Sequence, residues 1–345
     1  MKYYCLFLLL LLKGPASHAQ ATQAALPDSV KNYLDKSLVL LQTYSLERQR
    51  VDWASLRQTV YQRAQGARTI RELMPIYPFV FEQLHDDHGW LTYQGKTYKW
   101  HNKARPTYTN KVVKQALAQK PGILVKMLPG RVGYIQLPGN AAGGSLQAMR
   151  DAAKVVQDSL CRLNPNQAKS WIIDLRLNDG GAMAPMLAGL APLLGDGYLG
   201  GFVDKDGKPD QQWYLRGGNF YMDTLQVTTL QDRCPVRKTT KPIAVLLSGM
   251  TASSGEIVAI SLKGRPATRF FGEPTYGATT ANESYRISGT SYVTIAGMQE
   301  TDRNKMVYRS NLLPDDLIMD GDNFSDLAQD AKIKAALRWL KKVKL

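Results

Sequence analysis

The sequence predicts an α/β protein in which a mixed sheet is wrapped by helices and preceded by a small N-terminal helical bundle. Three observations predict it. Short, continuously apolar stretches such as Trp171-Ile172-Ile173 and Ile243-Ala244-Val245-Leu246-Leu247 read as strands buried on both faces. These stretches alternate with helical ones, the pattern of a partly parallel sheet. Residues 27–87, by contrast, place their apolar residues three and four apart, as helices do.

Taken in order, the chain opens with Met1-Lys2, an apolar run over residues 3–12 and then Ala16-Ser17-His18-Ala19. A basic start, a short apolar stretch and small residues make a secretory signal peptide over 1–19. The run is too short to span a membrane, which takes about 20 apolar residues. The expected mature chain is therefore exported, periplasmic or extracellular, with no integral membrane segment.

Residues 20–88 form the expected bundle. Val30, Tyr33, Leu34, Leu38 and Leu41 make one stripe, Val51, Trp53, Leu56 and Val60 a second, and Ile70, Leu73, Ile76 and Phe79 a third that Pro75 and Pro78 interrupt. Residues 89–345 form the α/β core. Ile123-Leu124-Val125 and Val132-Gly133-Tyr134-Ile135 read as strands around the turn Pro129-Gly130. A helix over 145–163 precedes the buried strand at 171–175, and a helix near 184–194 leads to further strands. The strand at 243–247 is followed by a helix from Ser254, by short strands near 268–272, 285–289, 292–296 and 305–309, and by a terminal helix over 324–343.

Charge is the unusual feature of the composition. Lys and Arg number 44 against 29 Asp and Glu, a net +15, which becomes +13 once Lys2 and Lys13 leave with residues 1–19. The basic residues are scattered and fit no nucleic-acid module, which favours a solvated basic surface over a nucleic-acid partner. Such a surface is expected to suit acidic peptides or an anionic envelope. Three cysteines are too few for a disulfide scaffold or a four-cysteine zinc site. Cys161 and Cys234 remain after export, and an oxidising compartment permits a bond between them.

Three segments carry candidate chemistry. Ser253 lies where the 243–247 strand turns into a helix, a place that exposes a hydroxyl and aims helix amides at it. The amide of Ser254 then suits an oxyanion. The same residues, Ser253-Ser254-Gly255-Glu256, equally make a Ser-x-x-Glu capping box with no catalytic role. Asp174-Leu175-Arg176-Leu177-Asn178-Asp179-Gly180-Gly181 follows the other buried strand. Its two glycines permit close backbone approach by a ligand or simply make a tight turn. Leu84-His85-Asp86-Asp87-His88-Gly89 offers two His and two Asp, but without metal-ligand spacing or a distant set to complete a metal site.

Together these segments resemble the tail-specific, or C-terminal-processing, serine peptidase family, which includes the tricorn protease core. Gly133-Tyr134-Ile135, Asp174-x-Arg176-x-Asn178-x-Gly180-Gly181, Thr251-Ala252-Ser253-Ser254-Gly255-Glu256, Gly272-Glu273-Pro274-Thr275-Tyr276-Gly277 and Leu313-Pro314-Asp315 are similar to its motifs and come in its order. The resemblance implies a ClpP/crotonase-like core with Ser253 as nucleophile. Where processing-type members place their Lys base after Tyr/Phe-Gly, this chain has Ala278, so a Ser-Lys dyad at that position is excluded. The tricorn and interphotoreceptor-retinoid-binding-protein-like branch uses His, and Leu84-His85-Asp86-Asp87-His88 fits that segment, placing the base at His88. Asp87 and Glu283 are the two leading candidates for the acid that orients it. Residues 90–122 are too few for the PDZ insert of the processing branch.

The resulting expectation is an exported serine endopeptidase acting on unfolded or short polypeptides. Ser253 attacks, His88 shuttles the proton, and amides of Ser254 and of Gly180 or Gly181 hold the oxyanion. Peptide is expected along a sheet edge near the 132–137 strand. No metal or organic cofactor is called for, and a homo-oligomer is compatible with the sequence. The rival expectation is a non-catalytic member that binds peptides or hydrophobic small molecules, as the retinoid and fatty-acid carriers of that branch do.

Overall fold

The structure is a computed structural model that describes residues 25–102, 110–231 and 240–343. The expected signal peptide and Cys234 lie outside the described residues. Cys161 is disulfide-bonded. No helix among the described residues is long and apolar enough to cross a membrane.

Two sheets organise the core. The first has six strands in the order Asp316–Leu317, Thr268–Gly272, Ile243–Leu247, Ser170–Asp174, Val132–Gln136 and Leu124–Leu128. All neighbours are parallel except the last pair. Because side chains alternate across a strand, Trp171, Ile173, Val245 and Leu247 enter a large core with the helices Leu146–Arg162, Met183–Gly189 and Ser254–Leu262. Ile172, Ala244, Leu246 and Phe271 face the other way, beneath the terminal helix Ala331–Lys342. Burial on both faces is why these strands read as unbroken apolar runs.

The strand Val132–Gln136 is paired on both sides, with Leu124–Leu128 and with Ser170–Asp174. The expected peptide-binding edge there does not exist, since its backbone hydrogen bonds are already made. Gly133 is needed for a different reason: a Cβ would fall 2.6 Å from the Trp171 ring.

The second sheet has nine strands and is antiparallel, centred on the long strand Ser291–Thr301. Its hairpin partner is Thr280–Ser288, so the expected short strands at 285–289 and 292–296 are the turn-proximal halves of one long hairpin closed at Gly289. The strand expected near 305–309 shrinks to Val307–Tyr308. The helix expected at 184–194 is two, Met183–Gly189 and Ala191–Leu194, broken at Leu190 before Pro192, which has no amide to donate. The terminal helix starts at Ala331 rather than 324, because the Asp330 side chain caps it by accepting from Ile333 N.

The N-terminal helices Asp28–Tyr44 and Trp53–Ala64, followed by Ile70–Leu73 and Tyr77–Gln83, bury the predicted stripes. Their core also takes in Leu91, Ile287, Val293 and Ile295 from the second sheet. The helices are thereby docked against that sheet, and the loop after Gln83 runs along its edge. On one edge of Ser291–Thr301, pairing with Trp90–Tyr93 ends at Thr294 and pairing with Gly197–Val203 begins at Gln299. Ala296 lies in the gap, where its carbonyl accepts from Leu46 N at 2.9 Å and its amide donates to Asp86 Oδ2 at 3.3 Å. The Asp86 bond clips the loop bearing His88 into the sheet, and the Leu46 bond docks the end of the Asp28–Tyr44 helix beside it.

Candidate active site

The elbow is built by three segments laced together. Thr251 Oγ1 donates to the carbonyl of Leu175 at 2.8 Å and Ser248 Oγ to that of Arg176 at 2.7 Å. Ala252 N donates to Asn178 O at 3.0 Å, and Tyr276 N to Thr251 O at 2.8 Å. These bonds hold Ser253 at φ 51°, ψ −121°, a strained backbone for a residue with a side chain. The Glu256 carboxylate accepts the Ser253 amide at 2.9 Å, as a capping box requires. The cap and the exposed elbow hydroxyl are thus parts of one turn. Glu256 also accepts from Thr275 Oγ1 and from Gly277 N, which ties the Tyr276 loop to the elbow. Burial pushes its carboxyl up to about 7, against the pull of these donors.

Behind the elbow, the Asp-x-Arg motif is structural. Arg176 is fully buried and bonds Asp174, Asp322 and Asp330, while Lys332 bonds Asp322 and Glu273. Asn178 is the motif residue nearest the chemistry. Its Oδ1 accepts the Gly180 amide at 3.1 Å, and its carbonyl crowds Gly255, where a Cβ would fall 2.6 Å away. Of the two expected oxyanion donors in the glycine pair, the Gly180 amide is therefore already engaged. Gly180 still matters by its lack of a side chain: at φ +111°, its Cβ would lie 3.1 Å from Ser253 Cβ. Gly181 is held by Ser254 Oγ, which donates to its carbonyl at 2.6 Å.

His88 and Ser253, 165 residues apart in sequence, line one cavity of about 650 Å³. Ser254, Gly181, Thr280 and Glu283 line it as well. His88 Nδ1 meets Thr280 Oγ1 at 2.6 Å, and the His88 carbonyl accepts from Asn282 Nδ2 at 2.9 Å. Thr280 was not legible in the sequence, because nothing local marks it as the partner of a residue 192 positions earlier. Of the candidate acids, Glu283 lies on the exposed side of the hairpin and accepts the Tyr285 hydroxyl, and Asp87 is half-buried beside His88. The carboxylate that braces the loop is Asp86, which accepts from His88 N at 3.0 Å and Gly89 N at 2.6 Å. Burial raises its carboxyl to about 6.

Residues 131–316 match the family model for Peptidase family S41, and the chain belongs to that family of peptidases. The nisin-resistance protein of Lactococcus lactis is 26% identical over 286 residues, 82% of this chain and 81% of that protein. The carboxy-terminal processing protease CtpA of Bacillus subtilis is 29% identical over 164 residues, which are 47% of this chain but 31% of CtpA. Among solved structures, a lipoprotein from Streptococcus agalactiae superposes with a TM-score of 0.65 at 21% identity, covering 91% of this chain and 96% of that one. The photosystem II D1 C-terminal processing protease gives 0.57 at 13% identity, covering 88% and 96%. At these identities the structural likeness speaks for the fold.

Proposed function

We propose that the chain is an exported serine peptidase in which Ser253 is the nucleophile and His88 the general base. The observation that carries this is the shared cavity: folding brings His88 and a strained, elbow-held Ser253 to the same 650 Å³ space. With Thr280 Oγ1 as acceptor, His88 carries its proton on Nδ1, and Nε2 is left with the lone pair a base needs. The imidazole takes the Ser253 proton as Oγ attacks the peptide carbonyl, then returns it to the leaving amine. The amides of Ser254 and Gly181 hold the oxyanion. Ser254 opens the helix and Gly181 follows the engaged Gly180, so these are the donors the turn leaves for a ligand.

The first test is labelling of the mature protein with a fluorophosphonate probe, together with cleavage of an unstructured polypeptide. Nisin, named by the Lactococcus lactis relative, is one peptide to offer. Labelling at Ser253 that is lost in Ser253→Ala, with turnover lost in both Ser253→Ala and His88→Ala, supports the reading. Cleavage that survives Ser253→Ala sinks it. Binding of peptide or of an apolar small molecule with neither labelling nor turnover would instead support the carrier reading.

A further inference from the structure

We infer that this cavity selects peptides carrying a basic side chain next to a large apolar one; the inference rests on the peptidase reading above and names its substrate class. The apolar half of the argument is the wall formed by Met183, Phe202, Met222, Ile257 and Met298. Unbranched methionines on three separate segments make a surface that can repack around different apolar side chains.

The charged half concerns sign. Apart from His88, the ionisable side chains on the cavity wall are Asp179 and Glu283, and among the described residues no Lys or Arg lines it. Among the described residues neither carboxylate is in an ion pair, and the bond that Glu283 accepts comes from the neutral Tyr285 hydroxyl. Asp210 acts electrostatically on the Tyr285 hydroxyl alongside Glu283. Asp179 immediately precedes the Gly180-Gly181 turn, Glu283 lies three residues after Thr280, and both share the cavity lining with Ser253 and His88. A protein of net charge +15 therefore presents a negative wall where substrate must sit. Both carboxylates are exposed, and the charge local to a cleft, not the total, steers what enters it.

The test uses two internally quenched peptides, identical except for Lys or Glu beside a central Leu, and three proteins: wild type, Asp179→Asn/Glu283→Gln, and Ser253→Ala. The expected result is a kcat/KM for the Lys peptide about tenfold above that for the Glu peptide. The ratio should shrink at high salt and fall to within about twofold in the double variant. Equal rates on the two peptides, or a preference that survives the double variant, overturns the inference while leaving the peptidase reading intact. If neither peptide is cut but Ser253→Ala binds the Lys peptide about tenfold more tightly, and Asp179→Asn/Glu283→Gln abolishes the difference, the selectivity stands and the peptidase reading falls. Absence of both cleavage and charge-dependent binding overturns both.

Discussion

Asp86→Asn should remove a sizeable part of the fall in this protein's stability between about pH 4 and 6. Asp86 is 5% exposed, and burial outweighs its three amide donors, so its carboxyl is raised from 3.8 to about 6. A group raised in the folded state holds its proton while the unfolded chain releases it. Its contribution is complete below about pH 4 and is lost as pH rises to about 6. About two units correspond to about 3 kcal/mol. Glu256, raised from 4.5 to about 7, adds a loss of similar size between about pH 4.5 and 7. The carboxylates lowered by their partners, Asp35, Glu72, Asp204 and Asp316, act in the opposite sense, adding stability as pH rises through the ordinary carboxylate range at the acid edge of this window. Urea unfolding followed by tryptophan fluorescence at several pH values between 4.5 and 7.5 should show a midpoint that falls as pH rises. In Asp86→Asn the fall below pH 6 should shrink by roughly a third, because Glu256 and Glu300, both raised by burial, still release protons there only on unfolding. The Asn amide keeps an acceptor for His88 N and Gly89 N but sets a donor against Ala296 N. A wild-type midpoint that is flat or rises from pH 4.5 to 7, or an unchanged slope in Asp86→Asn, would refute the reasoning.

Other outcomes are expected from the same geometry. Glu300 is fully buried with both carboxylate oxygens unpartnered, and burial holds its carboxyl well above the usual range. Glu300→Met should accordingly raise the unfolding midpoint, more at pH 7.5 than at pH 5, by about 1–3 kcal/mol. Gly180→Ala forces an alanine to φ +111° with its Cβ 3.1 Å from Ser253 Cβ, and peptide turnover should fall at least about 100-fold in a steady-state assay. Thr280→Val removes the Nδ1 partner and should lower kcat about 10- to 100-fold, while Thr280→Ser restores most of it; equal rates for Val and Ser would remove Thr280 from the mechanism. Arg176→Met leaves Asp174, Asp322 and Asp330 without their shared cation and should cost about 3–5 kcal/mol in urea unfolding, or prevent folding outright.

Much of the fold is written locally. The runs at 171–173 and 243–247 announce strands covered on both faces, and the stripe from Val30 to Leu41 announces a helix, because burial on two faces or on one leaves its own periodicity. Asp52, Asn110 and Ser145 cap their helices with side-chain oxygens, as their residue types foretell. The place of the Ser253 elbow is equally local, a turn between one strand and one helix, although bonds from Leu175, Arg176, Asn178 and Tyr276 hold its conformation. Pairings between distant strands leave no such mark. The sequence could not show that Val132–Gln136 has neighbours on both sides, that Thr280 meets His88, or that Asp86 closes a gap in the second sheet.

Charge shows the same division most plainly. The sequence by itself determined a basic chain, with 44 cationic side chains against 29 anionic ones, and pointed toward acidic partners. Tertiary structure decided which of those charges a substrate would meet, placing Asp179 and Glu283 on the wall of the cavity and, among the described residues, no Lys or Arg beside them. The physical reason is that composition sums over the whole surface, whereas screening within about 10 Å leaves a bound peptide to feel only the few charges that folding has set beside it.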